Sequence, residues 1–262
     1  MSKELIAIIS EGEKTEKQII ENIKKNFFSD DQEIEFLPFR TNIYGLWDVL
    51  KKDEFETDII EVLKERESDI AEKFKDLSKN DISQIFLFFD YDGHAKKNED
   101  DADDIVAEMI EIFNNETELG KIYISYPMVE SLKHLKKNEL DYKQNCVPAK
   151  ENIRYKNIVS EQSDYQNLTL FTLDDWYFIL RQNLKKANFI LFSIFELPNL
   201  NFIDYQNTFN QSSIFKYQRK NFINVNQTVA VLSAFPFFLI DYFGNNFLTK
   251  ITTIEDPHTS NV

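Results

Sequence analysis

Four acidic side chains follow closely on short apolar segments of the sequence: Glu11, Asp90, Asp92 and Glu130. The segments before them are β-branched or aromatic throughout and show no alternation: LIAII (5–9), IFLFF (85–89) and IYI (122–124). Such runs predict buried parallel strands. Ligands of open parallel sheets gather beyond the carboxyl ends of the strands, so we expect the four carboxylates to converge. Because crowded carboxylates repel one another and offer oxygen ligands, the pattern predicts a site for Mg²⁺ or Mn²⁺.

The spacing of these residues suggests how each carboxylate is held. Asp90 and Asp92 both face the same side of the sheet if the strand continues that far, because a strand projects its side chains with a period of two. Glu11 precedes Gly12, which permits a tight turn into a helix. Capping of a following helix is an alternative role for Glu11 and for Glu130.

The order of these features resembles the Toprim domain of topoisomerases, primases and OLD-type nucleases. The shared elements are a strand, a Glu-Gly pair at its tip, a helix, and two strands later an apolar run that ends in Asp-x-Asp. The form EGEKTE (11–16) is closest to the phage-defence branch of that family, which includes RloB-like proteins and the effector of PARIS-type systems. The resemblance covers about the first half of the chain. It implies a Mg²⁺-dependent endonuclease that acts as a toxin in abortive infection, with a nucleic acid such as tRNA as its target and an ATPase or sensor protein as its partner.

The resemblance also implies a role for each acidic residue. Glu11 would transfer protons, while Asp90 and Asp92 would hold the metal ion. Ser125 and Glu130 stand where a late Ser or Glu completes a second metal site in OLD-like enzymes. Two cations held in this way would polarise the scissile phosphate and lower the pKa of a bound water.

The apolar pattern and the resemblance together predict an α/β fold in two parts. Residues 1–145 are expected to form a Toprim-like domain, a parallel four-stranded sheet flanked by helices, with a helical insertion at about 43–80 and an edge strand over 33–39. Residues 146–262 are expected to form a helical lobe. Within it we predict one or two helices over 170–195, starting at Thr172 or Asp174, and a helical segment over 226–243 that is kinked or split at Pro236.

Composition excludes several classes of protein. The chain has 262 residues and one cysteine, so an intramolecular disulfide and a cysteine-ligated zinc site are excluded. It contains neither a P-loop string nor a G-x-G-x-x-G string, which argues against a self-contained P-loop ATPase and against a Rossmann cofactor site. The apolar runs are too short for a signal peptide or a membrane span, and we therefore expect a cytoplasmic protein without membrane contact.

The net charge of −15 is unfavourable for a nucleic-acid substrate, but its distribution is uneven. Residues 1–145 carry 35 of the 45 acidic side chains, whereas residues 146–262 carry 10 acidic and 10 basic ones. The basic residues that we expect to bind nucleic acid fall in two segments: Lys133, Lys136 and Lys137 after Glu130, and Lys216, Arg219 and Lys220 among aromatic residues. A solvated face, or core packing of the aromatic residues, is the alternative for these segments.

Two other functions are compatible with the same residues. A phosphatase of the haloacid-dehalogenase type would use Asp90 as nucleophile and Asp92 as acid/base, and it would leave Glu11 without a role. A non-catalytic Toprim-like module would only bind a partner. A homodimer is left open by the sequence.

Overall fold

The chain forms two compact units in the computed structural model, which describes residues 4–29, 32–52, 54–94, 102–136 and 140–253. The first unit comprises Met1–Phe89 and Asp104–Ile122, and the second comprises Asp90–Asp103 and Tyr123–Val262. These units are defined by contacts, whereas our division at residue 145 concerns domains in sequence. The predicted division therefore stays a prediction.

The first unit is built on a five-stranded sheet with the order β2-β1-β3-β5-β4. Its strands are β1 (Glu4–Ser10), β2 (Gln32–Pro38), β3 (Gln84–Asp90), β4 (Asn114–Asn115) and β5 (Gly120–Ser125). Strand β1 pairs in parallel with β2 and with β3, and β4 pairs antiparallel with β5. The predicted mostly parallel sheet and the edge position of β2 are confirmed. The predicted number of four strands is wrong, because a strand of two asparagines has no apolar pattern that could reveal it.

Apolar burial explains why β1 and β3 lie inside the sheet. Residues 6–9 of β1 and 85–89 of β3 are almost fully buried, as expected for strands covered on both faces. The helices that flank them in the first unit are α1 (Thr15–Phe27) and α5 (Ala102–Ile112). Helix α1 buries the stripe Ile19, Ile20 and Ile23, which the 3.6-residue period places on one face.

The helical insertion is confirmed, but it consists of separate short helices: α2 (Ile43–Lys51), α3 (Ile59–Arg66) and α4 (Ser68–Lys73). Two side chains set the starts of the first two helices. Asn42 accepts a hydrogen bond from the amide of Gly45, and Asp58 accepts from the amides of Ile60 and Glu61. Each of these caps starts a new helix, so the insertion is not one continuous helix.

The second unit is mainly helical. It contains α6 (Leu140–Gln144), β6 (Cys146–Pro148), α7 (Tyr155–Gln162), α8 (Leu173–Phe192), α9 (Phe202–Thr208), α10 (Gln211–Gln218), α11 (Asn224–Asn226), β7 (Thr228–Ala230) and α12 (Phe235–Thr253). Strands β6 and β7 form a small antiparallel sheet. The helix predicted near 170–195 is confirmed as α8, and Thr172 caps it by accepting a hydrogen bond from the amide of Asp175.

The last predicted helical segment is confirmed only in part. It is wrong over residues 228–230, which form a strand. The segment is split rather than kinked near Pro236, which lies in the first turn of α12, where the missing amide hydrogen costs nothing. The break in α12 lies instead at Gly244, with φ 70° and ψ −154°, a conformation that favours glycine. No helix within the described part of the chain is long and apolar enough to cross a membrane.

Candidate functional site

Asp90 is the last residue of β3 and belongs to the second unit. Its side chain is 8% exposed, and its Oδ1 accepts a hydrogen bond of 2.8 Å from the amide of Val129. A carboxylate that accepts a hydrogen bond from a backbone amide is oriented by that bond. The end of β3 therefore holds an oriented carboxylate, and its predicted role as a metal ligand stays a prediction.

Asp92 is positioned differently from our expectation. Its φ is 46°, in the left-handed region, so the extended geometry ends before this residue and strand alternation does not orient its side chain. The Asp92 carboxylate lies 2.9 Å from Nδ1 of His94. Burial raises the pKa of Asp92 above its ordinary value, and the charges of His94 and Lys156 oppose that rise. The side chain thus lies in a partly desolvated place between two basic groups.

Glu130 is the most buried of the predicted ligands, with 3% of its surface exposed. It lies in a short 3₁₀ turn, Val129–Leu132, rather than in the first turn of an α-helix. Its Oε1 is 3.4 Å from Nζ of Lys156, a side chain that is 67% exposed. Its Oε2 is buried and has no hydrogen-bond partner among the described residues. A buried carboxylate oxygen without a partner is costly, which makes this atom a candidate ligand for a cation.

Tyr155 contacts a histidine that the sequence did not single out for catalysis. The Tyr155 hydroxyl is 2.8 Å from Nδ1 of His134, and both side chains are buried. Burial, together with the nearby Tyr142, Glu130 and Asp90, raises the pKa of Tyr155 well above its ordinary value. Burial also lowers the pKa of His134. The aromatic residue within the basic stretch at 150–156 was the only sequence signal that pointed to this contact.

Ser125 is the last residue of β5, and its side chain is 3% exposed. Its Oγ accepts a hydrogen bond of 3.3 Å from the amide of Ala234. Its carbonyl accepts a second hydrogen bond of 3.0 Å from the amide of Tyr91. These contacts hold Ser125 within the second unit, and its predicted part in a second metal site stays a prediction.

Glu11 belongs to the first unit, where it follows β1 directly. Its amide donates a hydrogen bond of 3.0 Å to the carbonyl of Phe88, so the register sets it beside the last apolar residues of β3. The turn after Glu11 is stabilised by Glu16, which accepts a 3.0 Å hydrogen bond from the amide of Gly12. A Cβ on Gly12 would lie 2.5 Å from that carboxylate, so any larger residue there would require the Glu16 side chain to move away from the Gly12 amide. Sequence reasoning missed the role of Glu16.

The predicted nucleic-acid-binding residues fall into three groups. Lys216 and Lys220 are exposed and Arg219 is half-buried; Lys216 lies in α10, and the other two lie in the π-helical turn Arg219–Ile223 that follows it. Lys136 is exposed, whereas Lys133 is half-buried. Lys137 lies outside the described residues. Of the interleaved aromatic residues, Phe215 packs in the core against Tyr91 and Tyr126 and is not available for base stacking.

The donor chemistry of the acidic residues fits a hard cation, but the described residues do not form a ready metal cluster. No group of three or more His, Cys, Asp or Glu side chains within the described ranges is arranged to hold a metal ion. Asp90, Asp92 and Glu130 nevertheless supply only oxygen ligands, the type that Mg²⁺ prefers. Among the carboxylates of the described residues, the buried Oε2 of Glu130 is an atom without a hydrogen-bond partner that a cation could bind.

Comparisons of the chain with protein-family models, with curated proteins and with solved structures found no match.

Proposed function

We propose that this chain is a metal-dependent phosphodiester hydrolase that cleaves nucleic acid. The observation that carries the proposal is the buried Glu130, whose Oε2 has no partner among the described residues, in the same unit as the carboxylates of Asp90 and Asp92. Three carboxylates at low exposure suit a divalent cation better than they suit a purely structural role. The resemblance of the Glu-Gly and Asp-x-Asp motifs to Toprim enzymes supports the same function.

The chain's own residues have distinct roles in this proposal. Asp90, held by the amide of Val129, and Glu130 would hold the metal together with Asp92. When bound, Mg²⁺ or Mn²⁺ supplies a Lewis acid for the phosphate and lowers the pKa of water. Glu11 is assigned to proton transfer by the resemblance. Lys156 carries its charge next to Glu130, where it would pair with a substrate phosphate.

The biological context of the proposal comes from the resemblance alone. A defence effector of this branch would be toxic to its own cell, would act on a nucleic acid such as tRNA, and would be controlled by an ATPase or a sensor partner. Expression of the wild-type chain should then arrest growth unless a partner is present, while a variant with Gln at position 11 should not.

Addition of Mg²⁺ or Mn²⁺ is expected to raise the melting temperature of the wild type. A ligand that binds only the folded state stabilises it by about 2.7 kcal/mol at 100 times its dissociation constant. Asp90→Asn and Asp92→Asn should each reduce this shift, and each should raise the metal-free stability because repulsion between carboxylates is relieved. Thermal unfolding followed with and without metal measures both effects.

Asp174→Asn is the matched control for the metal response. Asp174 is exposed in the first turn of α8, so the substitution makes the same chemical change away from the carboxylates. Its metal-induced shift should equal that of the wild type. An unchanged shift in both Asp90→Asn and Asp92→Asn would eliminate the metal site.

Lys216→Glu combined with Arg219→Glu is expected to weaken nucleic-acid binding and to flatten its salt dependence. Each lost phosphate contact removes about 0.9 from the slope of log K against log salt on duplex DNA, so the slope should fall by up to ~2. The control pair is Lys17→Glu with Lys25→Glu, two exposed lysines of α1. If both double variants show the wild-type slope, the face of α10 does not contact the phosphate backbone.

A further inference from the structure

A pocket of about 360 Å³ opens next to the carboxylate of Asp92 in the second unit. It is lined by Asp92, Gly93 and His94 and by the segment 151–157, among other residues. Its volume is in the range of small-molecule sites in proteins. The pocket therefore offers room for a ligand beside Asp92.

The wall beside Asp92 is held by close packing. A Cβ added to Gly93 would lie 2.5 Å from the ring of Tyr91 and 2.6 Å from the carbonyl of Ala149. Tyr91 is fully buried, and its hydroxyl donates a 2.7 Å hydrogen bond to Asp103. Because neither neighbour can move easily, the loop that carries Asp92 is fixed against this part of the pocket.

The lining combines apolar and charged side chains. Met128, Pro148 and Ile153 supply an apolar surface, and Met is a side chain that adapts to flat ligands of varied outline. Arg154 and Lys156 are exposed and bring two positive charges to the same pocket, to which Asp92 and Glu151 bring two carboxylates. The Lys156 ammonium lies 3.4 Å from Glu130, whereas Arg154 has no such ion pair among the described residues. An apolar surface next to these two cations suits a molecule with a flat, weakly polar part and an anionic part.

We propose that this pocket binds one nucleotide of the substrate, with the base against the apolar surface and the phosphate at Arg154 and Lys156. The inference rests on the proposed function, and it deepens it by naming the form of the substrate. A base inside a duplex is stacked and paired, so it cannot enter a pocket of this kind. The substrate is therefore a single strand, a loop, or a duplex from which one nucleotide is extruded.

The test measures binding of 2-aminopurine riboside and of its 5′-monophosphate to the full chain in EDTA, by the fluorescence of the base. Ile153→Glu puts a charge into the apolar surface and should weaken binding of both ligands by at least about tenfold. Arg154→Asn, which also suits the left-handed backbone at φ 50°, should weaken binding of the monophosphate but not of the riboside. The two variants thus separate recognition of the base from recognition of the phosphate.

Ile203→Glu is the matched control. Ile203 is 70% exposed on α9, so this substitution introduces the same charge outside the pocket. It should bind both ligands within about twofold of the wild type. Asn157→Trp is a second pocket variant at an exposed position, where added bulk should block the base without burdening the fold. The proposal would be overturned if Ile153→Glu and Asn157→Trp bound both ligands as tightly as Ile203→Glu does. A wild type that fails to bind the monophosphate at ~1 mM would overturn it too.

Measuring both cleavage and nucleotide binding separates this inference from the proposed function. Glu11→Gln should lose cleavage but bind the monophosphate as the wild type does, since Glu11 does not line the pocket. If the pocket variants lose binding while the wild type cleaves no polynucleotide, the pocket stands and the hydrolase proposal fails. If the wild type cleaves but pocket variants bind and cleave normally, the hydrolase stands and the pocket proposal fails.

Discussion

Glu11→Gln is expected to reduce cleavage of a polynucleotide by at least about 100-fold, since a positioned acid or base contributes factors of this size. The glutamine keeps the shape of the side chain and removes its charge and its capacity for proton transfer. The fold should be unaffected, because Glu11 is held by its backbone, through hydrogen bonds with Phe88 and with the amide of Arg40. Single-turnover cleavage of DNA and of total tRNA with Mg²⁺ or Mn²⁺ measures the effect.

Glu13→Gln is the control for this experiment. Glu13 lies two residues further along the same loop, is exposed, and contacts Arg40 at 3.6 Å in a surface ion pair of little energetic weight. The Glu13→Gln variant should cleave the polynucleotide at a rate within about twofold of the wild-type rate. Retention of activity by Glu11→Gln within about tenfold, a loss of only about 1.4 kcal/mol, would contradict the proposed role of Glu11.

The same variants distinguish the alternative functions. A haloacid-dehalogenase-type phosphatase would turn over small phosphomonoesters through an aspartyl-phosphate, so Asp90→Asn would abolish activity and Glu11→Gln would hardly change it. A non-catalytic module would cleave neither substrate, whichever metal ion is supplied. Each function therefore predicts a different pair of results for Glu11→Gln and Asp90→Asn.

Lys186→Met is expected to lower the free energy of unfolding by about 2–4 kcal/mol, the range for removing a charged donor from buried acceptors. Lys186 is fully buried in α8, and its Nζ donates to the carbonyls of Tyr142, Lys143 and Asn145 at 3.0, 2.8 and 2.9 Å. Burial lowers the pKa of Lys186 to about 8, which leaves the ammonium protonated at neutral pH. The methionine fills the same space but leaves these carbonyls without their charged donor.

Lys216→Met is the control, because Lys216 is exposed on α10 and loses the same charge. Its unfolding midpoint in urea should stay close to that of the wild type, whereas that of Lys186→Met should fall clearly. The carbonyls that Lys186 holds lie just before β6, whose Pro148 lines the pocket beside Asp92. Wild-type stability in Lys186→Met would show that these three hydrogen bonds do not hold the segment in place.

Elements marked by a clear local pattern, such as an apolar run, an apolar stripe or a capping residue, could be predicted closely from the sequence. The unbroken apolar runs of β1 and β3, the stripe of α1 and the Thr172 cap of α8 each depend on neighbours within a few residues. Short elements without such a period were missed, notably β4 and β7, because two or three polar or mixed residues carry no period. Pairing makes these segments extended, with the nearby β5 for β4 and with the distant β6 for β7, and local propensity does not.

The candidate site shows the same division between local and long-range information. The sequence by itself determined that Glu11 and Asp90 follow buried strands, because an apolar run followed by an acidic residue is a local pattern. Only the tertiary structure decided that Asp92 leaves the extended conformation, that Glu130 meets Lys156, and that a pocket opens beside Asp92. These features depend on the paths of loops and on contacts between side chains that lie far apart in the chain. Such contacts form only when the second unit packs, and no repeating pattern in the sequence encodes them.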